Sequence, residues 1–346
     1  MSMEWEGRQV LVTGGASFIG SHLVDSLVER QAQVRVVDDL SSGAVENIRQ
    51  HLTDGTIELL VNDLREPGVA RQAVDGVEVV FHLAADHGGR GYVDTHQADP
   101  AVNLMLDGLL FREALKAGVE RVVYASSGCV YPNYLQTDPA QVLYLNENLV
   151  GPPYDADNLY GWAKLMGELT LRAYHREHGM KAASCRYFTV YGPRAKENHA
   201  VMAMIAKAVT RQDPFEVWGT GEQIRNWTYV DDIVTGTLHA AETIDDGTAV
   251  NLGTMERIRV LDAAKMVLGL VGHEAKIVTC PDMPTGPLNR VADNRLARKI
   301  LGWEPQVSFQ EGLCRTVAWY LNARSPEQAR HLLRNGGLFE RKVGDA

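Results

Sequence analysis

The run Arg8-Gln9-Val10-Leu11-Val12-Thr13 leads straight into Gly14-Gly15-Ala16-Ser17-Phe18-Ile19-Gly20, and a helical pattern follows from Ser21 to about Arg30. A short apolar strand, a glycine turn and a helix in that order open a βαβ unit. Backbone N–H groups and the positive end of the helix then converge where a pyrophosphate can sit. The next strand, Gln33-Val34-Arg35-Val36-Val37, ends at Asp38. That is the spacing at which a carboxylate meets an adenosine ribose. A free 2′-hydroxyl donates to Asp38 and a 2′-phosphate is repelled by it, so the pattern favours NAD over NADP. Arg35 alone does not reverse that preference.

Strand-like runs recur at Ile57–Val61, Glu78–Leu83 and Arg121–Ala125, with helical patterns between them. Such alternation predicts an α/β fold with a doubly wound, Rossmann-type parallel sheet. Asp63 and Leu64 follow the third strand, where they can meet adenine. The fourth runs into His82-Leu83-Ala84-Ala85, whose small residues let a cofactor approach. From about Pro193 the rhythm breaks into shorter elements, a smaller C-terminal α/β domain, and Tyr229-Val230-Asp231-Asp232 returns the chain to the first. The expected division is a nucleotide-binding domain over 5–192, rejoined by about 229–255. A substrate domain takes 193–228 and 256–325, and a tail takes 326–346, amphipathic until Gly336-Gly337.

At 346 residues the chain has room for two domains, and its formal charge of -10 argues against nucleic acid or an anionic membrane as partner. The start, Met1-Ser2-Met3-Glu4-Trp5-Glu6, lacks a signal peptide's basic and apolar regions. No apolar run nears the roughly 20 residues that span a bilayer. Cys129, Cys185, Cys280 and Cys314 are scattered without a C-x-x-C pair. Neither a metal site nor a disulfide scaffold is expected, and a reducing cytoplasm is.

The chemistry-bearing stretch is Tyr160-Gly161-Trp162-Ala163-Lys164, read with Ser126-Ser127-Gly128-Cys129-Val130-Tyr131 upstream. Tyr and Lys four apart share one helix face. An ammonium there is expected to lower the phenol's pKa, so that a tyrosinate can take a proton from a sugar hydroxyl while the carbon beneath gives up hydride. Ser127 would hydrogen-bond the same hydroxyl.

Taken together, these residues resemble the extended short-chain dehydrogenase/reductases, the group that contains nucleotide-sugar epimerases and dehydratases. The resemblance runs from Thr13–Gly20 through Asp38, Asp63, His82–Ala85, Ser126-Ser127 and Tyr160-x-x-x-Lys164. It continues through Arg186-Tyr187-Phe188-Thr189-Val190-Tyr191-Gly192-Pro193 to Trp218-Gly219-x-Gly221 and Arg225. Ser17 departs from the family's middle glycine, though a small residue still fits. The resemblance implies bound NAD and a nucleotide-diphosphate sugar substrate. Gly88 and Gly89 would approach the sugar, and Arg225 and Arg290 would clamp its diphosphate. It also implies a homodimer through a four-helix interface, built by Val102–Leu115 and the helix of Tyr160, both apolar over a wide arc.

Position 129 separates the family's reactions. In the 4,6-dehydratases an Asp-Glu pair stands at the positions matching Gly128-Cys129, and in the UDP-glucuronate decarboxylases a Glu matches Cys129. A cysteine there resembles the GDP-mannose 3,5-epimerases, as does Ala84-Ala85-Asp86-His87-Gly88-Gly89-Arg90-Gly91-Tyr92. A C4 ketone acidifies the C–H bonds at C3 and C5, and inversion needs a base on one face and an acid on the other. A thiol can fill one role, though a free Cys is also commonly just a small buried hydrophobe. The family's opposite partner is a lysine after Tyr-Gly-Pro. Lys196 is the nearest candidate, with His199 a rival whose ordinary pKa suits the task. Thr189, by contrast, resembles the UDP-glucuronate 4-epimerases, which leaves a UDP-hexose or UDP-glucuronate 4-epimerase as the alternative. An inactive NAD-binding sensor or scaffold is a third reading, disfavoured because Ser127, Tyr160 and Lys164 are all present.

Overall fold

The computed structural model describes residues 4–335. Its centre is a seven-stranded, all-parallel sheet. The strands are β1 (Gln9–Thr13), β2 (Gln33–Asp38), β3 (Ile57–Val61), β4 (Val79–His82), β5 (Arg121–Ser127), β6 (Lys181–Tyr187) and a last strand, Asp246–Leu252. Across the sheet the order is Asp246–Leu252, β6, β5, β4, β1, β2, β3. β1 therefore lies between β2 and β4, with Val12 registered against Val36 on one side and Phe81 on the other. Winding reverses between β1 and β4. In an open parallel sheet that reversal leaves a crevice beyond the carboxyl ends of the strands, where ligands bind. β1, β4 and β5 are buried almost throughout because helices cover both faces of the sheet, and this is why they read as unbroken apolar runs.

The first helix spans Phe18–Glu29, three residues earlier than its periodicity suggests, because Ser17 already takes the extended N-cap conformation. The helices Asn103–Ala117 and Asn158–His178 lie side by side on one face, while Val230–Thr243 packs with the first helix on the other. Beyond β6 the chain builds the helix Ala200–Val209, parallel pairing of Phe215–Trp218 with Ile277–Cys280, and a small sheet in which Ile224–Arg225 is flanked by Ile258–Arg259 and Asn289–Arg290. These elements enclose their own apolar core, with Met202, Ile205, Phe215, Trp227, Val267 and Phe309 at its centre. Pro326–Asn335 is a helix, and the expected change at Gly336-Gly337 falls outside the described residues. Among the described residues no helix is long and apolar enough to cross a membrane.

Two features fix the helix Asn158–His178. Glu168, fully buried, takes Arg186 Nε at 2.9 Å on one oxygen and Arg186 Nη2 at 2.8 Å on the other, and Ser126 Oγ donates to it as well. Helix 158–178, β6 and the end of β5 thus meet at one carboxylate. At the other end of the helix, a Cβ on Gly161 would stand 2.3 Å from the carbonyl oxygen of Cys129. Only glycine lets the helix press against that turn. Removing one member of a buried ion pair strands the other charge, at a cost of about 3–5 kcal/mol. Arg186→Met should therefore lower stability by roughly 3 kcal/mol or more in denaturant titration. The double variant Arg186→Met/Glu168→Leu should recover part of that loss.

Candidate active site

The crevice at the sheet's carboxyl edge continues as a chain of cavities. Asp38, Asp63, Leu64, Leu83, Ala84 and Ala85 line its outer end. Gly14, Ser17, Phe18, Ile19 and Gly20 line the middle, opposite Ser127, Tyr160 and Lys164. Gly88, Gly89, Arg225 and Arg290 line a further cavity of about 300 Å³ against the C-terminal elements. Cys129 and Tyr160 stand on both of the last two cavities, and so mark their junction.

The glycine turn is built for close approach. A Cβ on Gly20 would lie 2.1 Å from the Gly14 carbonyl oxygen, so a larger residue forces the turn apart. Asp38 is buried and accepts from Ala16 N and Leu40 N, both at 2.9 Å, and from Ser17 Oγ at 3.4 Å. Ser17 thus ties the turn to the carboxylate, a contact glycine could not make. Asp63 is gripped by Arg65, which donates from Nε and Nη2.

At the reactive end Ser127 Oγ accepts from Cys129 N at 3.1 Å, and Ser127 hydrogen-bonds Tyr160. Tyr160 N and Gly161 N are capped by the side chain of Asn158, whose φ of 55° marks a held conformation. Lys164 Nζ lies 5.8 Å from the centre of the Tyr160 ring and is buried without a hydrogen-bond partner. One expectation is reversed here. Burial pushes the Tyr160 phenol well up, the Cys129 side chain adds to the rise, and the Ser127 hydrogen bond only opposes it. The helical spacing supplies a neighbouring ammonium, yet desolvation of the buried phenol is the largest influence on it.

An orphaned buried amine beside a tyrosine, a glycine cradle and a helix N-terminus together fit a dinucleotide whose ribose hydroxyls would satisfy Lys164. The pyrophosphate would lie on Gly14–Gly20, with Arg194 and Lys196 lining the same cavity.

The substrate side is a cation cluster. Asp157, just before the catalytic helix, receives Arg90 Nη1 at 2.7 Å and Arg290 Nη2 at 2.9 Å. Arg290 Nε donates to Gln136 at 2.8 Å, and its Nη1 reaches Cys129 Sγ at 3.2 Å. Arg290 is therefore not a free clamp. Its nitrogens already hold the thiol and the loop. Among the described residues Arg225 donates only to the carbonyls of Ile224 and Thr285, both at 2.8 Å. Burial first, then the charges of Arg290 and Arg90, push Arg225 down to about 9. Arg90 and Arg290 share Asp157, Arg90 also pairs with Asp94, and Arg225 has neither carboxylate as a bonded partner, so it is the guanidinium best placed to meet an anion.

Lys196 stands on the central cavity, its ammonium lowered by burial against the pull of Asp38 and Glu197. His199 is not the near-neutral base its type suggests. Burial, then the neighbouring His87 and Lys196, push it down to about 4. The rings of His87 and His199 lie 6.1 Å apart on the cavity wall. Arg90 and His87 enter the sequence analysis only as members of the Ala84–Tyr92 loop, and Asp157 and Arg194, which the structure brings beside them, do not enter it at all. The signals were slight: Arg90 and His87 flank the Gly88-Gly89 pair, Arg194 follows Gly192-Pro193, and Asp157 precedes Tyr160 by three residues.

The family model described as "NAD dependent epimerase/dehydratase family" matches residues 10–253. The GDP-mannose 3,5-epimerase of Arabidopsis thaliana is 31% identical over 334 residues, covering 94% of this chain and 85% of the relative. A UDP-glucose 4-epimerase with UDP-glucose from Thermotoga maritima superposes with a TM-score of 0.82 at 31% identity, covering 90% of this chain and 98% of that one. The UDP-glucuronic acid 4-epimerase from Bacillus cereus, in complex with UDP-glucuronic acid and NAD, gives 0.82 at 26% identity, covering 91% and 99%.

Two tests follow. Gly20→Ala should reduce dinucleotide retention at least tenfold, read by mass spectrometry of the purified protein, because the added methyl meets backbone. Second, burial lowers His22, His82, His87 and His199 alike. In the unfolded chain they bind protons near pH 6.5, before the native state does, so stability is present above that pH and is lost as pH falls towards about 4. Thermal melts should show Tm dropping between pH 7 and 5, with a smaller drop for His199→Gln.

Proposed function

Because the chain belongs to the NAD dependent epimerase/dehydratase family, we propose that it is a nucleotide-sugar epimerase working through a transient 4-keto sugar, with 3,5-epimerisation of a GDP-mannose-like substrate as its reaction. The observation that carries this reading is the place of Cys129. Its sulfur stands at the junction of the two cavities, 3.2 Å from Arg290 Nη1, and position 129 itself offers a thiol rather than a carboxylate.

Bound NAD supplies the acceptor and later the donor of hydride. The residues do the rest. Tyr160, positioned by Ser127, takes the proton of the C4 hydroxyl as the phenolate, the form that Lys164 and the positive nicotinamide of bound NAD would favour against the burial that raises the phenol. Cys129, in contact with the Arg290 guanidinium, exchanges the proton at C3 or C5 on one face. Lys196 serves the other face, since His199, pushed down to about 4, stays neutral and weakly basic at pH 7. Arg225 takes the diphosphate, with Arg90 and Arg290 adding positive charge around it. Residues 5–192 with about 229–255 form the cofactor body, and 193–228 with 256–325 the sugar-nucleotide body.

A homodimer belongs to the same reading. Leu104, Met105, Leu159, Trp162 and Met166 are exposed on the neighbouring helices 103–117 and 158–178. A second copy would cover that apolar row.

Thr189 favours a second reading, 4-epimerisation of a UDP-hexose or UDP-glucuronate, and it lines both inner cavities. Heavy water separates the two. Enolisation puts deuterium at C3 or C5, and Cys129→Ala should abolish that label while leaving oxidation at C4 intact. A 4-epimerase labels neither carbon and tolerates Cys129→Ala, an outcome that would replace the first reading by the second. In either case Tyr160→Phe should slow C4 oxidation by at least ~100-fold in single-turnover measurements.

A further inference from the structure

Beneath the catalytic pair lies a buried polar chain that the reaction above does not use. Thr13 Oγ1 accepts from Leu83 N at 3.1 Å and from Ala84 N at 3.0 Å. Both lone pairs are then engaged, so its one proton goes to His82 Nδ1, 2.8 Å away. This fixes the tautomer. His82 Nε2 carries the hydrogen and donates to Asp107 Oδ1 at 3.0 Å. Tyr124 donates its phenol proton to Asp107 Oδ2 at 2.5 Å. That hydroxyl has room because residue 167 is glycine, where a Cβ would stand 2.4 Å from it. Every link is a neutral donor aimed at one carboxylate, and the carboxylate is buried.

The nearby cation is Lys164, whose Nζ lies 4.7 Å from the centre of the Tyr124 ring and has no hydrogen-bond partner. The other charged and titratable neighbours do not balance it. Glu168 is taken by Arg186 and Ser126. His82 is held neutral by burial, and His87, on the loop after β4, is lowered by burial and by Lys164 itself. Tyr160 and Tyr124 are phenols, both raised by burial, and Cys129 is bonded to Arg290.

We propose that Asp107 is a positioning residue of the catalytic site, whose carboxylate, fixed by His82 and Tyr124, supplies the buried counter-charge that holds the Lys164 ammonium beside Tyr160. The same chain ends on Leu83 N and Ala84 N, so it also registers the cofactor wall against the lysine. Burial lowers Lys164 and Asp107 is the group that opposes it. Asp107 also raises Tyr160, so removing its charge lowers both groups together. The inference rests on the proposed role of the Tyr160–Lys164 pair, but its first test needs no substrate.

That test is the titration of Lys164 in the purified protein, followed by NMR of 15N-labelled lysine side chains and assigned with Lys164→Met. Asp107→Asn keeps shape and loses charge, and Lys164 should then titrate about one pH unit lower. Tyr124→Phe keeps the charge and strips a donor from it, so Lys164 should titrate higher. In kinetics of C4 oxidation, both limbs of the pH profile should move down together in Asp107→Asn, with kcat changed and KM nearly constant. An unmoved Lys164 in Asp107→Asn overturns the inference, and so does an equal fall in both variants, the signature of lost packing alone. Should Asp107→Asn not fold, a Lys164 titration that fails to rise in Tyr124→Phe overturns it. If Lys164 moves as stated while no sugar nucleotide is ever oxidised, this inference stands and the proposed function falls.

Discussion

The Glu168–Arg186 pair is the joint on which the site's geometry hangs. Taken alone, a buried ion pair adds little stability, because removing both charges from water cancels most of their attraction. Its consequence lies in what it registers. Glu168 is four residues beyond Lys164 on the same helix, Arg186 is near the end of β6, and Ser126 precedes Ser127 on β5. One carboxylate thus sets how far the helix carrying Tyr160 slides along the strand that delivers Ser127 and Cys129. At the helix start, Gly161 pressed on the Cys129 carbonyl and the 2.8 Å bond from Asp157 N to that oxygen fix the second point.

The cofactor half of the site was legible because it is local. Strand, turn, helix and acid fall within Gln9–Asp38, and β-sheet burial writes itself as apolar runs. The substrate half was legible only as residue types. Arg290 and Cys129 are 161 positions apart, and Arg90 and Asp157 are 67 apart. No periodicity reports such pairings, so the arginine expected on a diphosphate proved to be bonded to the thiol. The sign of the Tyr160 shift failed for a different reason. Sequence spacing gives the neighbour on the helix face, but the desolvation that dominates depends on everything packed around the phenol, contributed from β5 and the 128–130 turn. Gly167 was likewise silent in the sequence, since its meaning is the hydroxyl of Tyr124.

A last point concerns charge. The chain is acidic, at -10, yet Arg90, Arg225 and Arg290 line the inner cavity and Lys164, Arg194 and Lys196 the central one. Concentrating cations in low-dielectric clefts of an acidic protein focuses the field there, while the remaining surface repels other anions. The cost is visible within the clefts, where Lys164, Lys196 and Arg225 are all lowered by burial. Bound anions would relieve that cost, and in the proposed function a pyrophosphate at the glycine turn and a diphosphate at Arg225 supply that charge. A protein that supplied its own carboxylates there would be easier to fold and would bind both ligands less well. Asp157 and Asp94 at Arg90, and Asp25 at Arg194, mark how far this chain goes in that direction.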